Sequence, residues 1–302
     1  MLTEPPFMTP QDLARLDGLE VSSVRLAEGR LPGRHRSRLK GGCAEFAEHR
    51  AYGLGDEVRR LDWRVLAKCD RYYVKQYNEE SVLMATLVLD AGAGMGFAES
   101  GPSKWDAARA VASGLARLLL AQRDPVGLAL AASPLPPLVP ARSEATHYSA
   151  LMEVLRRTVP AGPGILAERL SELAARIRRR GLVVVISDVF CELEPLEKSL
   201  RRLSSHGHQL VLIHTVAPEE LSFPYKEGIR FVSLENDTVA VPLDAPSFRK
   251  TYLAALAAHL AGLRRICAGL RCDYVPLRTD QSPAEVLADY LRERALRFQT
   301  YY

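Results

Sequence analysis

The stretch that most constrains this chain is Val82–Met95, VLMATLVLDAGAGM. Met84–Asp90 carries the strand signal, aliphatic and β-branched residues with no charge until the terminal acid, Asp90. A run apolar at nearly every position predicts a strand buried on both faces. Such strands lie at the centre of a parallel sheet with helices on each side. Ala91-Gly92-Ala93-Gly94 then forms a loop almost without side chains. Open α/β sheets bind ligands just beyond the carboxyl ends of their central strands, so Asp90 places an acid where function is expected.

Three motif readings compete for this loop. A dinucleotide fingerprint needs G-x-G-x-x-G, but Gly92, Gly94 and Gly96 are spaced by two and follow an acid that repels a pyrophosphate. A phosphoaspartate site wants a second acid two residues on, where Gly92 stands. The metal-dependent adhesion loop of von Willebrand factor A-type domains, D-x-S-x-S, matches in acid and spacing, with Gly92 and Gly94 in place of both serines. This third reading fits best, in a stripped form.

Downstream, the pattern alternates as an α/β fold should. Ser103 and Asp106 form a capping box before an apolar stripe from Trp105 to Leu119. Strands are predicted at Val126–Ala132, Leu182–Ser187, Gln209–Val216 and Tyr274–Leu277, with edge strands or loops at Pro134–Pro140 and Ile229–Leu234. Helices fall between them, and Ser282, Pro283 and Glu285 begin the last. A further helix is predicted over residues 10–28, capped by Thr9. The fold class is α/β, a three-layer, doubly wound, mostly parallel sheet. It splits into an amino-terminal extension, 1–80, and a main domain, 81–302.

Charge and cysteine content narrow the function. A net charge of +4 over 302 residues is too small to mark a nucleic-acid binder. The basic segment Arg30–Lys40 remains a minor candidate for phosphate contact, and Arg176, Arg178, Arg179 and Arg180 read as the solvated end of a helix. Five cysteines without a C-x-x-C pair read as reduced structural thiols. The amino terminus lacks the basic-then-apolar pattern of a signal peptide, and no apolar run approaches the ~20 residues of a membrane span. A cytoplasmic location is expected.

The segment Glu45–Glu80 is the densest in unusual residues, with aromatic and charged side chains interleaved on no simple period. Its residues Glu45, Phe46, Arg50, Tyr52, Gly55, Asp56, Arg59, Asp62, Trp63, Tyr73, Val74, Lys75, Tyr77, Glu79 and Glu80 resemble the signature of the bacterial domain-of-unknown-function family 58. The resemblance continues through Asp124, Val126–Leu128, Ile186–Asp188 and Thr279-Asp280. It implies a von Willebrand factor A-like main domain. It also implies partnership with a MoxR-type AAA+ ATPase in chaperone-like assembly or activation of an unknown client protein. From the residues themselves, Arg59, Asp62 and Trp63 are expected to plug this segment onto the main domain, so that Trp63→Ala costs ~3–5 kcal/mol.

Asp90 and Asp188 each end an apolar central strand and are expected side by side. With glycine at 92 and 94, and Gly162-Pro163-Gly164-Ile165 where a threonine ligand belongs in adhesion-type loops, they hold magnesium weakly if at all, no tighter than roughly millimolar. The preferred alternative is that both acids accept hydrogen bonds from nearby helix amino termini. Ser187 lies outside any nucleophile elbow, the histidines are scattered, and no P-loop is present. No catalytic residue is assigned. The expected function is a non-catalytic protein-binding module whose docking or degenerate metal site is Asp90, Gly92, Gly94 and Asp188. The rivals are a divalent-metal-dependent enzyme using Asp90 and Asp188, and a nucleic-acid binder using Arg30–Lys40.

Overall fold

Strand β3 (Ala85–Asp90) forms where the apolar run predicts it, and all six of its residues are buried. The computed structural model describes residues 7–21, 45–53, 61–69, 71–78, 83–99, 101–134, 138–177, 179–226, 229–235, 240–243 and 245–299. With β3 run β4 (Val126–Ala131), β5 (Val139–Arg142), β6 (Leu182–Ser187), β7 (Gln209–Val216) and β10 (Asp273–Arg278). They make one sheet of order β10-β7-β6-β3-β4-β5. Every pairing is parallel except that of the edge strand β5, which is antiparallel. The chain leaves β3 to one side for β4 and later returns on the other side for β6, so the strand order reverses between β3 and β6. This is the doubly wound arrangement that the sequence predicts.

Side chains alternate between two helical layers, as strand geometry requires. Leu87 and Leu89 face a core shared with α1 (Pro10–Leu16), α3 (Lys104–Ala121), α4 (His147–Arg157) and α9 (Pro283–Gln299). Val88 faces α5 (Leu166–Arg176), α6 (Leu193–Ser205) and α8 (Ala245–Gly269). Helix α3 begins at the expected capping box: the Ser103 hydroxyl accepts from Asp106 N, and Asp106 accepts from Ser103 N.

The chain divides into two compact units, Met1–Val24 with Leu83–Tyr302, and Arg25–Val82. The amino-terminal helix therefore belongs to the larger unit and not to the extension. Its Leu13 and Leu16 are buried, Arg15 pairs with Glu285 at 2.8 Å, and Asp12 accepts from Ser282 Oγ at 3.0 Å. The helix is shorter than the stretch 10–28 predicts: it ends at Leu16, and residues 22–28 lie outside the described part. In the smaller unit, β1 (Glu45–Ala51) pairs antiparallel with β2 (Tyr73–Asn78), with α2 (Trp63–Cys69) between them in sequence. Near residue 229 the expected edge strand does not join the main sheet. Strand β8 (Ile229–Val232) pairs with β9 (Ala240–Leu243) in a separate hairpin, because β10 already fills the edge beside β7.

Gly181, at the entry to β6, shows how closely the central strands approach. A Cβ there would sit 2.0 Å from the carbonyl oxygen of Met84, whereas a Cβ on Gly96 would meet no atom within 4 Å. Gly181→Ala should cost about 1–3 kcal/mol or more through overpacking, and Gly96→Ala should stay within about 0.5 kcal/mol. Denaturant unfolding of the two variants checks this.

Candidate functional site

The reversal of strand order leaves a crevice outside the carboxyl ends of β3 and β6, and both acids singled out by sequence lie there. Asp90 is buried. Its Oδ1 accepts from the backbone N–H of Gly92 at 3.0 Å, and its Oδ2 accepts from Ser187 Oγ at 2.6 Å. Ser187 in turn accepts from Val189 N at 2.8 Å. Asp188 accepts from Phe190 N at 3.2 Å. Each acid thus caps its own strand-end turn. Gly92 and Gly94 allow close approach, since a Cβ on Gly94 would lie 3.0 Å from Asp188 Oδ2 and one on Gly92 3.2 Å from Gly164 Cα. The loops are laced together by Ala93 N to Gly162 O and Ala161 N to Ala91 O, both 2.9 Å.

The main ionic contact at this site is one that sequence reasoning missed. The ammonium of Lys104 donates to Asp188 Oδ2 at 2.7 Å and to Glu220 Oε1 at 2.8 Å, with its side chain only 3% exposed. Glu220 comes from α7 (Pro218–Ser222), where its Oε2 accepts from Ala217 N at 2.8 Å. Burial opposes charge on Lys104, but the carboxylates of Asp188 and Glu220 outweigh it and hold the ammonium above its usual range. Lys104 is the first residue of α3 after its cap, where the helix dipole disfavours a cation. A lysine set against local preference was the available signal. Among the described residues Asp90 has no such cationic partner at bonding distance. Burial, and then the charge of Asp188, push its carboxyl up from the usual 3.8 to about 6.

The backbone after Asp188 is held from below. Val189 has φ 52°, a left-handed value that a β-branched residue rarely adopts. His259 donates to its carbonyl at 3.0 Å. His214, read from sequence as a structural histidine, contacts the Asp188 carbonyl through Nε2 at 2.9 Å and the Tyr274 hydroxyl through Nδ1 at 2.8 Å. Burial lowers it to about 4, so the ring is neutral near pH 7. A carbonyl only accepts, so Nε2 carries the proton and Nδ1 accepts from Tyr274. Cys191 also lines the site, but burial and the surrounding acids push its thiol up to about 12, which removes it as a nucleophile.

Asp90, Lys104 and Asp188 border a cleft of about 520 Å³. Asp90, Asp188, Glu220 and Glu235 line it together with Lys104, and its rim carries Phe190, 71% exposed, with Val232 and Leu234 from the β8 hairpin, about half exposed. Divalent metal does not fit the residues present. The place beside Asp188 already holds an ammonium group, and the loop positions that would supply hydroxyl ligands are Gly92 and Gly94. Among the described residues, no group of three or more His, Cys, Asp or Glu is placed to hold a metal ion.

The signature segment lies in the smaller unit. Asp62 is buried and caps α2, accepting from Val65 N at 3.4 Å. Tyr52 N donates to Tyr72 O at 2.9 Å, and the two rings are 6.3 Å apart. Arg50 sits on β1 opposite Val74. Gly55, Asp56 and Arg59 lie outside the described residues, as does the basic segment Arg30–Lys40. Trp63 corrects the expectation of a buried plug: it is 59% exposed at the start of α2, since the cap is made by its neighbour Asp62.

A family model described as "Protein of unknown function DUF58" matches residues 48–262. The chain is 29% identical over 306 residues to uncharacterized protein Mb1516 of Mycobacterium bovis and uncharacterized protein Rv1480 of Mycobacterium tuberculosis, covering 98% of this chain and 95% of each relative. Similar solved structures include the conserved hypothetical protein BatB from Bacteroides thetaiotaomicron, 15% identical with a TM-score of 0.48 over 70% of this chain and 98% of that one. They also include the SpRpn10 VWA domain, 14% identical with a TM-score of 0.40 over 70% of this chain and 95% of that one. Among the described residues no helix is long and apolar enough to cross a membrane.

Two outcomes follow from this geometry. The raised Asp90 carboxyl binds its proton more readily in the folded than in the unfolded chain. Its contribution to stability is therefore full below pH 3.8 and lost as pH rises through about 6, a decline of up to roughly 3 kcal/mol. Asp90→Asn removes that slope, so urea unfolding of wild type and variant at several pH values should diverge in the variant's favour toward neutrality. Exposed Trp63→Ala should melt within about 0.5 kcal/mol of the parent, which a thermal scan reads directly.

Proposed function

The chain belongs to the DUF58 family, and we propose that it is a non-catalytic protein-binding module that docks its partner in the cleft at the carboxyl edge of the sheet. The observation that carries this reading is the rim: Phe190, Val232 and Leu234 expose large apolar surface around an ionic floor. Exposed large apolar residues grouped beside polar ones mark interaction surfaces. The left-handed Val189, fixed by Ser187 and His259, supports it, because strain held in place by surrounding contacts concentrates at functional loops.

The family resemblance extends this to a partner. On our reading the chain is an adaptor for a MoxR-type AAA+ ATPase, joining it to a client protein in the cytoplasm. Asp188 is already paired with Lys104, so the rim, and not a cation supplied by the partner to Asp188, provides most of the contact.

Pull-down with a MoxR-type ATPase from the same organism, with and without nucleotide, tests the adaptor. Phe190→Asp and Leu234→Asp should each weaken the complex at least about tenfold, or 1.4 kcal/mol, while leaving the melting temperature unchanged because both side chains are exposed. A complex indifferent to both substitutions would place the docking surface elsewhere.

A further inference from the structure

Adhesion-type loops are built to hold a divalent ion between strand-end acids, and this crevice keeps the acids while replacing the hydroxyl ligands with Gly92 and Gly94. We propose that Lys104 is the resident cation of the site: its ammonium group takes the place of a divalent ion, and its removal would open a metal site. The inference goes beyond the protein-binding reading and does not depend on any partner.

Three observations carry it. The first is occupancy, since Nζ is 2.7 Å from Asp188 and 2.8 Å from Glu220, with almost no solvent around it. Two carboxylates from different elements converge on one tethered positive charge, as they would on an ion. The second is that nothing local explains a lysine there. Position 104 opens α3, where the dipole disfavours a cation, and the side chain turns inward although lysine ordinarily keeps its charge in water. The third is the surrounding charge. Asp90 and Glu235 also line the cleft, so without Lys104 the charged side chains lining it among the described residues would all be carboxylates. Oxygen donors of this kind suit hard ions such as Mg2+ and Mn2+, which accept one or two carboxylates and complete their shell with water.

A covalently attached cation changes what the site can do. It is always present, it cannot be removed by a chelator, and it ties the start of α3 to the end of β6 and to α7. A partner docking above it meets a floor whose charge does not vary with metal supply.

Titration of the full chain with Mn2+ by calorimetry and by the Mn2+ electron-spin signal tests this. Wild type and Lys104→Arg should show no saturable binding tighter than roughly millimolar. Lys104→Ala should bind Mn2+ at least about tenfold more tightly than wild type. Adding Asp188→Asn to Lys104→Ala should abolish that gain. Excess Mn2+ should raise the melting temperature of Lys104→Ala and leave wild type unmoved, because an ion that binds only the folded state stabilises it. If Lys104→Ala does not fold alone, the proposal requires that it fold when refolded with Mn2+. Micromolar Mn2+ binding by wild type, lost in Asp188→Asn, would overturn the proposal. So would a Lys104→Ala protein that gains neither binding nor stability from the ion.

Discussion

The pairing of β3 with β6 is the constraint on which the rest of this structure depends. Both strands are buried at every residue, so neither tolerates an unpaired backbone group or an exposed face. A parallel ladder satisfies them, from Ala85 opposite Leu182 to Leu89 opposite Ile186, and it brings their carboxyl ends to the same edge. The connections then run to opposite sides, and the loop from α4 to α5 passes beside the β3 end, where Ala161 N donates to Ala91 O. A crevice lined by Asp90 and Asp188 is the geometric consequence.

The electrostatics follow from that placement. Two carboxylates brought together out of water repel each other and lose hydration, and the structure answers them differently. Asp188 receives Lys104, which it shares with Glu220. Among the described residues Asp90 receives neutral donors, Gly92 N–H and Ser187 Oγ, and its carboxyl is left well above the usual range. Removing one partner from a buried ion pair commonly costs about 3–5 kcal/mol, because the other charge is stranded. Lys104, Asp188 and Glu220 therefore act as a unit that joins three elements at the floor of the cleft. The loop above it is free to carry Phe190 outward.

Part of this was legible locally. Continuous apolar runs marked β3 and β6, Thr9 marked the start of α1, and the pair Ser103–Asp106 marked the capping box found at α3. The interleaved segment from Glu45 onward was less readable. Its hairpin pairs strands of mixed polarity, which do not produce the period of a half-buried strand. Trp63 was misplaced because a large aromatic beside an acid reads as buried, whereas here the acid is the helix cap and the ring turns outward.

What the sequence by itself determined were the elements whose causes lie within a few residues: strand runs, caps, and the two acids at strand ends. Backbone preference and side-chain periodicity act over that range, so neighbours encode them. Only the tertiary structure decided which charge answers which. Lys104 meets Asp188 across 84 residues and Glu220 across 116, and Asp90 meets Ser187 across 97. Contacts of that span depend on strand order and on burial that removes water from between the partners. The local pattern shows only that Lys104 stands where the helix dipole disfavours a cation, and does not say which acids answer it.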